Sequence, residues 1–278
     1  MNAKMKLFSY TIADTFIHRL SGLTKLICFL LLTFAVMYSY DIRVVLAVMV
    51  FSILIMRVSL IQFSQIRLMV IYVAIFIVTN AVISFFFSPE YGAQIYGTKH
   101  EFARLFGVSL TYEQLFYQVT KMFKYASVVP LGMIFLLTTN PSEFASSLNG
   151  VGVNYKAAYA VSLTLRYFPD IQRDYQNIYL SQQARGLELS GKAKFMNRFK
   201  NSLLIVIPLI FSTLDRIDLI SNAMDLRGFS KQRTRTWYTS RKLNWRDAAA
   251  ISLSALIFIG SILVSILINH SRFYNPFI

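Results

Sequence analysis

Long runs without a charged side chain alternate with short charged clusters along this chain. The two clearest runs cover residues 68–89 and 248–269, and each is 22 residues long. A helix of that length extends about 33 Å, which is enough to cross the hydrocarbon core of a bilayer. Shorter apolar runs within 26–56 and a run within 113–139 complete the set. The pattern predicts five membrane-spanning helices, at about residues 23–40, 43–57, 66–89, 113–139 and 248–269.

The segment 141–247 has a different pattern, because it is charged but still carries apolar stripes. It holds 16 of the 28 basic residues and 8 of the 13 acidic ones. Apolar residues recur three or four positions apart over 155–183 and again over 195–226, which is typical of amphipathic helices. The apolar run 203–214 is too short to span a membrane. We therefore predict three regions: N-terminal transmembrane helices (1–140), two long amphipathic helices (141–247), and a final transmembrane helix with a tail (248–278).

Charge decides the orientation. The chain has a net charge of +15, and with the N-terminus inside, nearly all the basic residues fall on the inner side. Cytoplasmic loops of membrane proteins are enriched in Lys and Arg, so we predict a multi-pass plasma-membrane protein with region 141–247 in the cytoplasm. Basic surfaces can bind nucleic acid, but the long apolar runs make the lipid bilayer the expected partner and exclude nucleic acid. The outer segments then hold only four basic residues, Arg43, Lys99, Arg104 and Arg272.

Both amphipathic helices are predicted to end in an arginine–glycine pair. The first ends in Ala184-Arg185-Gly186 and the second in Leu226-Arg227-Gly228, with the arginines 42 residues apart. Glycine after the last helical turn is an ordinary helix cap, and a cation there complements the helix dipole. Two such ends in one cytoplasmic region favour a further role, because a guanidinium fork at a projecting tip suits a carboxylate-lined groove on a partner.

On these residues the chain resembles the transmembrane T component (EcfT/CbiQ-like) of energy-coupling factor (ECF) transporters, which import vitamins and cobalt or nickel. Members of that family carry Ala-Arg-Gly, and then a variant of it, at the ends of two coupling helices. The segments QARGL at 183–187 and AMDLRGF at 223–229 occupy those places, with Leu226 as the departure from alanine.

The resemblance implies a non-catalytic subunit of an ATP-driven importer. Each coupling-helix tip would dock into one of two ABC-type ATPase subunits, and the helices would pass the ATP-driven motion to a separate substrate-binding membrane subunit. Arg185 and Arg227 would be the anchoring contacts. The remaining residues of the two tips would shape them: Ala184, Gly186, Leu226 and Gly228.

Other interpretations of the apolar stripes stay open at this point. Candidates for a platform under the substrate-binding subunit are Leu165, Phe168, Leu203 and Ile207, although packing between the two helices is an equally good reading. The chain could also be a conventional ABC-type permease that lines its own substrate path, or a non-transport membrane scaffold.

The sequence predicts no catalytic, cofactor or metal site. The three histidines, His18, His100 and His270, lie in separate polar segments without metal-ligand spacing. A near match to the phosphate-binding loop, GxxxxGK[ST], occurs at 186–193, but Ala193 lacks the hydroxyl that would bind magnesium. A basic stretch follows from residue 231, and we expect it to contact lipid head groups through Trp237, Tyr238 and Trp245.

Overall fold

The computed structural model describes residues 15–61, 63–105, 108–186, 195–229, 231, 236–238, 240–241 and 243–277. Over these residues the protein is an all-α membrane protein with one small hairpin, which confirms the predicted fold class. The chain forms two compact units, which are described separately below. The elements are α1 (Gly22–Tyr38), α2 (Ile42–Val58), α3 (Phe63–Phe87), α4 (Tyr91–Tyr96), β1 (Glu101–Leu105), β2 (Val108–Thr111), α5 (Tyr112–Thr138), α6 (Pro141–Gly150), α7 (Tyr155–Ala184), α8 (Phe195–Leu226) and α9 (Trp245–Leu263), the last continued by a π-helical turn (Val264–Ile268).

The first unit, residues 1–144 with 241–278, contains the transmembrane helices. Within the part of the chain that the structure describes, three helices are long and apolar enough to cross a bilayer: Ile66–Phe87, Tyr112–Thr138 and Trp245–Ile268. Of the five predicted spans, the first two correspond to α1 and α2, which have 17 residues each. A helix of 17 residues extends about 26 Å and lies at the lower limit for a span.

Helix α5 is the centre of this unit, because α1, α2 and α3 all pack against it. Leu32 and Val36 of α1, Val48 of α2 and Leu131 of α5 form one apolar core cluster. Helix α9 packs along α1, and the buried Asp247 carboxylate accepts the backbone N–H of Ser21 at 2.9 Å. This contact brings the start of α1 and the start of α9 to the same side of the unit.

Two buried lysines satisfy carbonyl groups near the ends of neighbouring helices. Lys25, in the first turn of α1, donates from Nζ to the Thr138 carbonyl at the end of α5, at 2.7 Å. Lys124 of α5 donates in return to the Met37 carbonyl in the last turn of α1, at 2.6 Å. The last carbonyls of a helix have no hydrogen-bond partner within the helix. Each lysine therefore supplies a donor that the hydrocarbon of the bilayer cannot provide.

The predicted polar loop after the third span is more ordered than expected, because it contains α4 and an antiparallel hairpin of β1 and β2. Two side chains at the start of α5 organise it. Gln114 accepts the Gly92 N–H at 2.7 Å, and the buried Glu113 lies 2.6 Å from Nδ1 of His100. A Cβ at Gly92 would come within 2.6 Å of the Gln114 backbone, so only glycine permits this approach.

The second unit, residues 145–240, is built on the two long helices α7 and α8, which pack against each other. They have 30 and 32 residues and therefore extend about 45 and 48 Å. Their bounds coincide with the two predicted amphipathic segments, and each helix continues through an internal proline, Pro169 or Pro208.

Candidate functional site

The first arginine–glycine pair closes α7. The last helical residue is Ala184, and Arg185 occupies the cap, with its backbone N–H directed at the carbonyls of the last turn. Gly186 follows in the left-handed region at φ +83° and donates its N–H to the Gln183 carbonyl at 2.9 Å. A residue with a side chain is strained in this conformation, which explains the glycine.

The second pair closes α8 with the same geometry. Leu226 is the last helical residue, Arg227 occupies the cap, and Gly228 is left-handed at φ +66°. The Gly228 N–H donates to the Asp225 carbonyl at 2.9 Å, and the Phe229 N–H donates to the Met224 carbonyl at 3.1 Å. These two bonds are the Schellman pattern of helix termination. Arginine and glycine therefore occupy equivalent positions at both tips.

Both tips present their side chains outward. Ala184, Arg185 and Arg227 are exposed, and Leu226 is 90% exposed. Neither guanidinium is paired with a carboxylate within the part of the chain that the structure describes. Each arginine thus offers a bidentate donor, together with small or apolar neighbours, to a partner surface.

An ion pair joins the two helices at an equal distance from each tip. Asp174 of α7 lies 2.6 Å from Arg216 of α8. Asp174 precedes Arg185 by eleven residues, and Arg216 precedes Arg227 by the same number. Each tip therefore lies about 16 Å along its own helix from the shared contact. The sequence alone did not predict this pair, whose two residues are 42 positions apart, as are the tip arginines.

The predicted platform residues are largely on the outside. Phe168 is 56% exposed and Ile207 is 48% exposed; Leu203 is also exposed, whereas Leu165 is partly buried. Packing between α7 and α8 therefore accounts poorly for the first three. Leu203 and Ile207 belong to an exposed apolar ridge on α8 that extends about 27 Å and consists of Phe199, Leu203, Ile207, Ile210, Leu214 and Ile217.

Of the three aromatic residues expected at lipid head groups, Trp237 packs within its own unit. Its Nε1 donates to Asn149 at 3.1 Å and its ring lies against Tyr155. Tyr238 and Trp245 are exposed. The phosphate-loop-like stretch from 187 to 193, including Ala193, lies outside the described residues. No group of metal-binding side chains occurs among the residues that are described.

Comparisons with known proteins match most of the chain. The family described as CbiQ, cobalt transport protein, matches residues 13–238, a stretch that includes both tips. The energy-coupling factor transporter transmembrane protein EcfT of Streptococcus equi subsp. equi (strain 4047) is 23% identical over 277 residues, 92% of this chain and 94% of the relative. The EcfT of Streptococcus thermophilus (strain ATCC BAA-250 / LMG 18311) is 22% identical over 94% of this chain and 97% of its own length. The EcfT of Lactococcus lactis subsp. cremoris (strain MG1363) is 27% identical over 60% of this chain, a match that covers 64% of that relative.

Proposed function

This chain belongs to the CbiQ family, and from that premise we propose that it is the transmembrane coupling subunit, the T component, of an energy-coupling factor importer. In this role it binds two ABC-type ATPase subunits in the cytoplasm and a separate substrate-binding subunit in the plasma membrane. It performs no catalysis itself. The relatives named EcfT support the assignment, and the observation that carries it is the pair of exposed arginine tips with the same cap geometry.

Each tip is proposed to anchor one ATPase. Arg185 and Arg227 bind carboxylates in a groove of the ATPase, while Ala184, Gly186, Leu226 and Gly228 keep the tip narrow enough to enter it. A permanently charged, planar guanidinium suits this contact better than a lysine, because it donates two parallel hydrogen bonds to one carboxylate.

The two long helices are proposed to act as levers. When ATP binding and hydrolysis change the distance between the ATPases, the tips move with them. Because α7 and α8 are joined through Asp174 and Arg216 at equal distances from the tips, movement at one tip is passed to the other helix. The motion then reaches the apolar ridge on α8.

The substrate-binding subunit is proposed to rest on that ridge and on the exposed Phe168 of α7. An exposed apolar surface of this length on a membrane-protein subunit needs lipid or another apolar partner to cover it. The transported vitamin or metal ion binds to the separate subunit, so this chain contributes movement and no substrate contacts.

Charge reversal at the tips tests this proposal. The chain is co-expressed with its cognate ATPases and substrate-binding subunit, and Arg185→Glu, Arg227→Glu and the double variant are compared for ATPase co-purification and for ATP-dependent uptake in proteoliposomes. We expect the double variant to insert in the membrane but to lose the ATPases and uptake. Arg173→Glu is the matched control, because Arg173 is an exposed arginine of α7 twelve residues before the tip. Full ATPase binding by the double variant would refute the assignment.

A conventional permease is distinguished by a second reconstitution. This chain and the ATPases, without the substrate-binding subunit, should hydrolyse ATP but transport nothing. Uptake without that subunit would favour a permease that lines its own path.

A further inference from the structure

The transmembrane unit contains an apolar cavity of about 490 Å³ between α1, α2, α5 and α9. Its volume lies in the range of about 300–1,000 Å³ that is usual for small-molecule sites. The lining is aliphatic and aromatic except for Lys25, Cys28, Ser254 and Arg246. Lys25 is buried and donates to the carbonyls of Thr138 and His18, whereas Arg246 is exposed, so Arg246 is the cation that a ligand can reach.

The cavity has the depth of one membrane leaflet. Its deepest lining residues are Leu32 on α1 and Ser254 on α9, ten and nine residues from the starts of those helices. On α2 and α5 they are Phe51 and Leu131, each seven residues from the helix end. The cavity therefore reaches about 10–15 Å inward from these helix ends, which is comparable to half of the hydrocarbon core.

The mouth of the cavity is basic and aromatic. A smaller recess beside it is lined by Phe16, Arg19, Trp245 and Arg246, and the cavity shares Phe16 and Arg246 with it. The Arg246 guanidinium lies 5.7 Å from the centre of the Phe16 ring and 5.8 Å from that of Trp245. Over the described residues it is not paired with any carboxylate. Arginine beside tryptophan at the edge of an apolar slot is the chemistry that binds a lipid phosphate at the membrane interface.

We propose that this cavity binds one anionic phospholipid, with an acyl chain in the slot and the phosphate at Arg246. The charge at the mouth, the apolar lining and the one-leaflet depth each match a part of that molecule. The inference goes beyond the coupling function. Which leaflet supplies the lipid depends on the membrane orientation proposed above. The proposal that the cavity binds a lipid does not depend on that orientation.

Tryptophan quenching tests the site in the full-length chain. The chain has two tryptophans, so Trp237→Phe leaves Trp245, at the mouth, as the only one. The protein is reconstituted in phosphatidylcholine vesicles, and either phosphatidylglycerol or further phosphatidylcholine is added with brominated acyl chains that quench tryptophan. We expect brominated phosphatidylglycerol to quench Trp245 at about one-fifth of the concentration that brominated phosphatidylcholine requires. A factor of about five is what one cation near the membrane surface contributes to the binding of an anionic lipid. Equal quenching by the two lipids would overturn the proposal.

Substitutions distinguish the contribution of the lipid head group from that of the acyl chain. Arg246→Gln should abolish the preference, whereas Arg272→Gln should keep it, because Arg272 also lies over an aromatic ring, that of Tyr38, but far from the cavity. Ala250→Phe, which fills the slot, should weaken quenching by both lipids. If Arg246→Gln keeps the preference, the proposal is wrong.

Two further measurements address a variant that fails to fold and a different occupant of the cavity. If Trp237→Phe does not fold, native mass spectrometry of the unmodified chain from mixed micelles applies the same criterion, because one phosphatidylglycerol should be retained in preference to phosphatidylcholine. The quenching is also repeated with the substrate-binding subunit added. Persistence of the preference supports a lipid site, and its disappearance would assign the slot to a helix of that partner.

Discussion

The carboxylate of Asp174 lies 2.6 Å from the guanidinium of Arg216 and joins α7 to α8 at equal distances from the two arginine tips. Both side chains are about one-third exposed. Such a pair contributes about 1 kcal/mol or less to stability, so its importance would lie in position rather than in folding energy. If α7 and α8 act as levers, motion passes from one helix to the other at this contact.

We therefore predict that Arg216→Asp, which places two carboxylates opposite each other, leaves ATPase binding intact but reduces uptake several-fold at an unchanged rate of ATP hydrolysis. The charge-swapped variant, Asp174→Arg with Arg216→Asp, should recover most of the uptake. The measurement is substrate transported per ATP hydrolysed in proteoliposomes.

Asp170→Ala is the control for this prediction, because Asp170 pairs at 3.4 Å with Arg173 of the same helix and does not join α7 to α8. It should transport normally. Normal uptake by Arg216→Asp would show that the helices do not act on each other through this contact.

A second prediction concerns the glycines of the tips. Gly186 and Gly228 have φ values of +83° and +66°, and an alanine in that region costs about 1–2 kcal/mol. We expect Gly186→Ala and Gly228→Ala each to weaken ATPase association about tenfold, because the last turn must unwind or re-aim the neighbouring arginine. The measurement is the affinity of the purified complex for its ATPases.

Gly260→Ala is the matched control for the glycines. Gly260 lies within α9, where a Cβ would meet open space, and its φ is not positive. Alanine is the better helix former, so this variant should be neutral or slightly stabilising. Asparagine tolerates the left-handed region, so Gly228→Asn should be milder than Gly228→Ala. Equal effects of alanine and asparagine would contradict the conformational explanation.

A third prediction concerns the two lysines that satisfy carbonyl groups between α1 and α5. Lys25→Met removes the hydrogen-bond donor of the Thr138 carbonyl, and Lys124→Met removes the donor of the Met37 backbone carbonyl. A buried polar group without a partner costs about 1–3 kcal/mol. Each variant should lower the thermal unfolding temperature in detergent by several degrees.

The neighbouring Lys121 provides the comparison. It belongs to the same helix and lies over the Tyr117 ring at 5.7 Å, so Lys121→Met should change the unfolding temperature little. Lys25→Arg should retain part of the stability, because a donor is kept. A similar loss in all three methionine variants would mean that charge, rather than the carbonyl contacts, is responsible.

The long helices were predictable because the residues that determine them are close together in the sequence. The apolar spacing of α7 and α8 and the glycine after each last turn lie within the helices themselves, so the sequence predicts their ends at Ala184 and Leu226. Five spans were predicted, and the structure has corresponding helices. Of these, α1 and α2 are short because Ser39 and Asp41 cap helix ends between them.

The parts that sequence reasoning missed depend on distant contacts. The hairpin and α4 are short elements that Glu113 and Gln114 hold from the start of α5. The Asp174–Arg216 pair joins residues 42 positions apart. No local pattern announces such contacts, because their partners become neighbours only once the helices have packed.

The last prediction tests the orientation on which the coupling proposal depends. In a Cys28→Ala background, single cysteines replace Ala184 at the first tip and Lys99 in the segment before β1, both of which are exposed. Basic segments remain on the cytoplasmic side of bacterial membranes. A membrane-impermeant maleimide applied to intact cells should therefore label Lys99→Cys and spare Ala184→Cys. After permeabilisation both positions should react, which shows that the tip cysteine is chemically accessible. Labelling of the tip in intact cells would place it outside, where no ATP-driven motor could reach it, and the coupling function would have to be abandoned whatever the lipid measurements show.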